Sequence, residues 1–152
     1  MTTTNDKNIA TVLHLSTLTQ YIIPFGNYIF PIVIWSSKKG ESEFIDYNGK
    51  QVLNFQLSIF IYSVALFLIA IPIFIYTVFQ NVPFDTCCFD GDDFVINHLN
   101  MEHFSGVTLI GIIAVFLFVF LKVVEFVLII HAAVKASNGE EYKYPLSIPF
   151  FK

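Results

Sequence analysis

Two long apolar runs dominate the chain, and each is long enough to cross a lipid bilayer. The run from Val107 to Ile130 has 24 residues, with Lys122 and Glu125 its only charges. At about 1.5 Å per residue it covers about 36 Å, against about 30 Å of hydrocarbon. The second run, Leu57 to Phe79, has 23 residues and contains Pro72. That proline removes a bond to the carbonyl of Leu68, so a kink is expected there. Asn48 followed by Gln51 resembles a capping box, which predicts a helix over 48–80. The other long helix is predicted over 104–138, stopped by Gly139.

Ahead of these, Ile9 to Trp35 is apolar but divided by Pro24-Phe25-Gly26-Asn27. The pieces Ile9–Ile23 and Tyr28–Trp35 each fall short of the roughly 20 residues that span alone. They fit a hairpin with both ends on one side, or one kinked span with ends on opposite sides; the hairpin is preferred. The fold class is therefore an all-α integral membrane protein. It has a short N-terminal helical hairpin (or kinked span) plus two long antiparallel transmembrane helices. As a single membrane domain it divides into 9–35, the helix 48–80, an acidic external loop 81–103, the helix 104–138 and an interfacial tail 139–152.

The polar positions inside the apolar runs are the informative ones. Each charge near a helix centre costs about 3 kcal/mol on insertion, and about twenty large apolar residues return roughly 0.3–0.6 kcal/mol each. Lys122 and Glu125, three apart, share a helix side and can pair. In the other helix Gln51, Asn54, Ser58 and Tyr62 fall on one face, the composition of a helix interface in lipid. Antiparallel helices would bring Tyr62 and Ser58 level with the pair, so an intramembrane polar cluster of Lys122, Glu125, Tyr62 and Ser58 is expected. A structural pair, or a lysine reaching for headgroups, is the preferred role; an ion relay and a partner contact are the alternatives. Gly111 lies nearly in line with Lys122 and suits close helix approach. His14 is expected to be a hydrogen-bonded packing residue rather than a ligand.

Composition supports lipid as the solvent: 55% of residues are hydrophobic, with 18 Phe and 7 Tyr. All eight basic residues are Lys, which argues against nucleic-acid recognition. The net charge of −4 is unevenly spread. The connection 81–103 carries Asp85, Asp90, Asp92, Asp93 and Glu102 without a lysine, while Lys38, Lys39, Lys50, Lys135, Lys143 and Lys152 lie near the other helix ends. The positive-inside rule puts those lysines, and the C-terminus, in the cytoplasm. Adjacent Cys87 and Cys88 are poorly placed to bond each other. The stretch from Asp90 to Asp93 lacks the spacing of a calcium loop, so no metal and no cofactor are expected. The sharper readings are partner contacts, at Asp90, Asp92 and Asp93 in the loop and at Tyr142 and Tyr144 in the tail. The default for the tail is interfacial anchoring by Tyr142, Tyr144, Phe150 and Phe151, with Trp35 anchoring the other flank. No cleavable signal peptide is recognised at the N-terminus.

Several phrases occur in a familiar order: Leu13-His14-Leu15-Ser16, Pro24-Phe25-Gly26-Asn27 with Pro31 and Trp35, Gly49-Lys50, Leu53-Asn54-Phe55-Gln56, and the stretch from Ala132 to the end. Together they resemble a family of small bacterial membrane proteins of unknown function related to the Tic translocon subunit of the chloroplast inner envelope. That resemblance implies four helices, both termini cytoplasmic, in a bacterial inner membrane. The expected function is a non-catalytic accessory subunit or assembly factor, working with a membrane protein partner or as a homo-oligomer. The alternative is an oligomeric conduit for protein or solute. An intramembrane enzyme ranks last, since HExxH, GxSxG, CxxC and paired membrane aspartates are all missing from the sequence.

Overall fold

The computed structural model describes residues 2–81 and 106–151, with side chains for 2–76 and 109–151. The loop candidates Asp90, Asp92, Asp93, Cys87 and Cys88 lie outside the described residues. Within them are four α-helices and no strand: α1 (Thr4–Ser16), α2 (Gly26–Lys38), α3 (Glu43–Asn81) and α4 (Gly106–Asn138). Residues group into two compact units, Met1–Tyr62 with Leu121–Lys152, and Ser63–Phe120.

In the first unit α1 begins at a reciprocal cap. The Asp6 amide donates to Thr3 Oγ1 (3.1 Å), and the Thr3 amide donates to Asp6 Oδ2 (2.9 Å). That backbone bond holds the Asp6 carboxyl below the usual carboxylate range. The sequence predicts one helical piece to Ile23, but the α-helix ends at Ser16 and tightens into a 3-10 turn over Thr17–Tyr21. Three hydroxyls supply the reason: Ser16, Thr17 and Thr19 donate to the carbonyls three residues back, Leu13, His14 and Ser16. The chain reverses at Phe25, whose left-handed φ of 63° is uncommon for a side-chain-bearing residue. Gly26 must follow, because a Cβ there would sit 2.6 Å from Thr19 Oγ1. α2 then folds back on α1, forming a helical hairpin.

α3 starts at Glu43, ahead of the Asn48 signal, with Glu43 and Asp46 favourably placed in its positive first turn. Pro31 and Pro72 both lie inside helices. The core of this unit is three small clusters: Ala10 with Phe44 and Ala136; Leu13 with Ile45 and Val52; and Phe55, Ile59, Ile129, Ala132 and Tyr144. Phe44 thus groups with Ala136 and Ile59 with Ile129, the falling partner numbers of an antiparallel pair. Trp35 is half-buried against α3. Its indole N–H donates to Asp46 Oδ1 (2.9 Å), and Lys39 Nζ lies 5.0 Å from the ring centroid.

That packing depends on Gly49, where a Cβ would come within 2.2 Å of the Trp35 ring. Gly49→Ala should therefore destabilise the protein. Overpacking costs about 1–3 kcal/mol, outweighing the roughly 1 kcal/mol that alanine gains in a helix. Thermal unfolding in mild detergent checks this; a melting point at or above the parent's would contradict it.

In the second unit α3 and α4 are again antiparallel. Phe67 and Phe118 rings lie 5.1 Å apart, and a Cβ on Gly111 would stand 3.0 Å from Ile73 Cγ2. The small residue thus marks a close helix approach. Two helical stretches, Glu43–Tyr76 and Leu109–Asn138, are long and apolar enough to cross a membrane. Only 11% and 17% of their most apolar windows are buried, whereas the core helix of a water-soluble protein would be mostly covered. Leu68, Phe74 and Phe116 are about two-thirds exposed or more. Such a surface suits lipid and not water.

Candidate functional site

The expected ion pair exists. Lys122 Nζ donates to Glu125 Oε2 at 2.8 Å; the Glu125 side chain is fully buried and that of Lys122 is 33% exposed. Its third member comes from the 3-10 turn: Gln20 Nε2 donates to Glu125 Oε1 at 3.1 Å. Both carboxylate oxygens are thereby satisfied by donors from the same chain. Ser58 and Tyr62, the other expected members, meet the C-terminal tail instead, while the Ser58 hydroxyl donates to the Asn54 carbonyl one turn back (2.7 Å). Ser58 Oγ accepts from the Ile148 amide (2.7 Å), and Tyr62 Oη donates to the Leu146 carbonyl (3.2 Å). Gln20 lies on the polar side of the first helical piece in the sequence, but its partner is 105 residues away and no local spacing points to it.

A second polar centre ties α1, α3 and the tail. Asn48 Nδ2 donates to the Phe44 carbonyl (2.8 Å), which turns Asn48 Oδ1 toward His14 Nε2 at 2.9 Å. An amide oxygen only accepts, so Nε2 carries the imidazole proton. Nδ1 is then the acceptor for the Tyr144 hydroxyl, also 2.9 Å away. His14 is the hydrogen-bonded packing residue expected of it. Burial pushes its pKa down to about 4, so the ring is neutral near pH 7. Burial also raises the Tyr144 phenol well above its ordinary value.

Tyr144 is therefore no headgroup anchor and offers no exposed contact to a partner. It is 1% exposed and stacks on Phe55 with ring centroids 4.0 Å apart and planes 8° from parallel. Tyr142 is half-buried beside it, edge-on to both Tyr144 and His131. A stacked aromatic pair adds about 0.5–1.5 kcal/mol beyond its area burial.

Beyond Tyr144 the tail runs along α3. Asn54 Oδ1 accepts from the amides of Phe150 (3.0 Å) and Phe151 (2.8 Å), and Asn54 Nδ2 donates to the Phe151 carbonyl (3.0 Å). Asn54, Ser58 and Tyr62 thus face residues 150–151, 148 and 146 in turn. One face of α3 thus holds the tail by its backbone, after a turn closed by the Ser147 amide on the Tyr144 carbonyl (3.4 Å). Pro149 falls between the donor amides 148 and 150, where no N–H is required. The polar stripe on α3 was legible in sequence, but its partner is the non-helical C-terminal tail and not a second helix.

Nearby, Asn27 Nδ2 donates to Gln56 Oε1 (2.8 Å) and Tyr28 Oη to the Gln56 carbonyl (3.2 Å), while buried Gln56 Nε2 has no partner among the described residues. No group of three or more His, Cys, Asp or Glu among the described residues is arranged to hold a metal ion.

A chain with two bilayer-length apolar helices, and only helices and turns among its described residues, is a small integral membrane protein. Residues 5–151 match the magnetosome magnetite crystal formation protein family, MamF/MmsF, and the chain belongs to that family. This corrects the resemblance to a Tic-related family, which the match does not support. The phrases behind that resemblance, such as Pro24-Phe25-Gly26-Asn27 and the tail prolines, build a turn and a docked tail. No curated protein and no solved structure matches the chain.

Proposed function

We propose that this protein is a non-catalytic accessory component of magnetite crystal formation, embedded in a membrane of a magnetite-forming bacterium and assembled there with other membrane proteins or with its own copies. The observation that carries this reading is the family match across residues 5–151. The site chemistry supports it. Glu125 is matched by Lys122 and Gln20, and His14 by Asn48 and Tyr144, so the buried titratable groups serve the packing. In this reading both termini and the lysine-bearing helix ends face the cytoplasm. The acidic connection 81–103 then faces the compartment on the other side, where its carboxylates meet the growing mineral or a partner.

Deleting the chain in a magnetite-forming host should leave the membrane compartments in place and make their crystals smaller or fewer by electron microscopy, with recovery on re-expression. Crystals unchanged in size, number and shape would contradict the proposal. Gentle detergent extraction followed by mass analysis should recover a stoichiometric membrane partner or a homo-oligomer. A lone monomer would count against the accessory role.

A further inference from the structure

We propose that the tip of the α1–α2 hairpin, Tyr21 to Phe25, is immersed among phospholipid acyl chains in the leaflet beside the lysine-bearing helix ends, which it enters without crossing the bilayer. The tip has the surface this requires. Ile22 is 84% exposed, and Tyr21 and Phe25 are each more than half exposed. No Asp, Glu, Lys or Arg occurs between Lys7 and Lys38. A chain reversal facing water is ordinarily built from small and polar residues; this one presents large apolar side chains.

Contacts to α3 and α4 fix how deep the tip lies. Ile59 and Ile129 share one cluster, so the apolar runs of the two helices begin at the same level, near Leu57 and Ile130. On α4, Lys7 Nζ donates to the Asn138 carbonyl (3.4 Å) and Gln20 Nε2 to Glu125. On α3, Trp35 donates to Asp46 and Asn27 to Gln56, and the Tyr28 ring stands edge-on to Phe60 with centroids 6.4 Å apart. Both arms therefore run from the lysine-bearing side toward the apolar runs, and residues 21–25 join them at the lower end. Glu125 lies five residues inside Ile130, about 8 Å along the helix. One leaflet supplies roughly 15 Å of hydrocarbon, so the tip ends within it.

The backbone of the reversal suits this depth. Irregular chain is excluded from hydrocarbon because its polar groups go unsatisfied. Here the Ile22 and Ile23 amides donate to the Thr19 carbonyl, Gly26 to Ile23, and Tyr28 and Ile29 to Phe25, while Pro24 has no N–H to satisfy. Acyl chains are the occupant because the tip continues the lipid-facing surface of α3. Through Tyr28 it meets Phe60, which is exposed beside exposed Ile61. It offers no charge with which to orient a protein partner.

The test uses the full chain in phospholipid bilayers, with Cys87→Ser and Cys88→Ser leaving Ile22→Cys as the single thiol for a bimane dye. Phospholipid brominated high in its acyl chains should cut the dye's emission by about half, as for a group about 5–10 Å below the headgroup boundary. Aqueous iodide should leave that emission unchanged. The same dye on Ser137→Cys, exposed near the end of α4, should respond to iodide and not to bromine. Both labelled proteins should melt at the parent's midpoint, which separates misfolding from exposure. Quenching by iodide at Ile22 would place the tip in water, and indifference to both quenchers would mean that protein covers it. Stronger quenching by bromine at the chain ends would mean that the hairpin reaches the midplane. Each of these three results would overturn the proposal. None depends on crystal formation, so this inference and the proposed function can fail separately.

Discussion

Replacing Lys122 with alanine should destabilise the protein by about 3–5 kcal/mol, the cost of leaving a buried charge without its partner. Glu125 is fully buried, and its remaining donor would be the single Gln20 amide. Glu125→Gln should cost a small fraction of that. It keeps the volume and removes the buried charge, while the Lys122 side chain is already one-third exposed. The asymmetry is the diagnostic part, because it follows from which member of the pair is sealed off. Unfolding in mixed micelles with rising denaturing detergent measures both variants. Equal effects would mean that the pair is not buried as described.

The second large effect is a pH dependence centred on His14. Its pKa falls from about 6.5 in the unfolded chain to about 4 in the folded one, because burial excludes the charged ring. The neutral ring is the folded form, so this contribution is fully present above pH 6.5. As pH falls below 6.5 the unfolded chain takes up the proton first. Stability then drops by about 1.4 kcal/mol per pH unit, levelling near pH 4 after a loss of about 3 kcal/mol. Melting temperature between pH 7 and 5 should therefore slope downward in the parent protein and be nearly flat in His14→Gln. A parent profile as flat as the variant's would contradict the buried neutral imidazole. Tyr144→Phe should cost about 1–3 kcal/mol across this whole range, since it leaves Nδ1 buried without a donor.

What could be read from the sequence was what repeats or breaks locally. The apolar runs announced α3 and α4, the Pro24-Phe25-Gly26 break announced the hairpin, and a spacing of three announced the Lys122–Glu125 pair. What could not be read was long-range pairing. Gln20 meets Glu125 across 105 residues, and His14 meets Tyr144 across 130. No periodicity carries such information, because these contacts are set by how the hairpin and tail close over α3. The polar face at Asn54, Ser58 and Tyr62 was visible, yet its spacing is equally good for a helix neighbour and for a non-helical tail. Two prolines in the tail were the available hint, since they forbid a helix there and favour an extended chain. The Tic-like resemblance fails for a related reason: the phrases that carry it encode turns and packing rather than a biochemical role.

The account depends most on lipid being the solvent around α3 and α4. Spin labels placed singly at Leu68, Phe74, Phe116 and Val123, four exposed apolar positions on these helices, report their surroundings directly in reconstituted bilayers. Power-saturation measurements should show high accessibility to oxygen and low accessibility to a water-soluble nickel chelate at all four. High accessibility to the chelate at these sites would contradict the account.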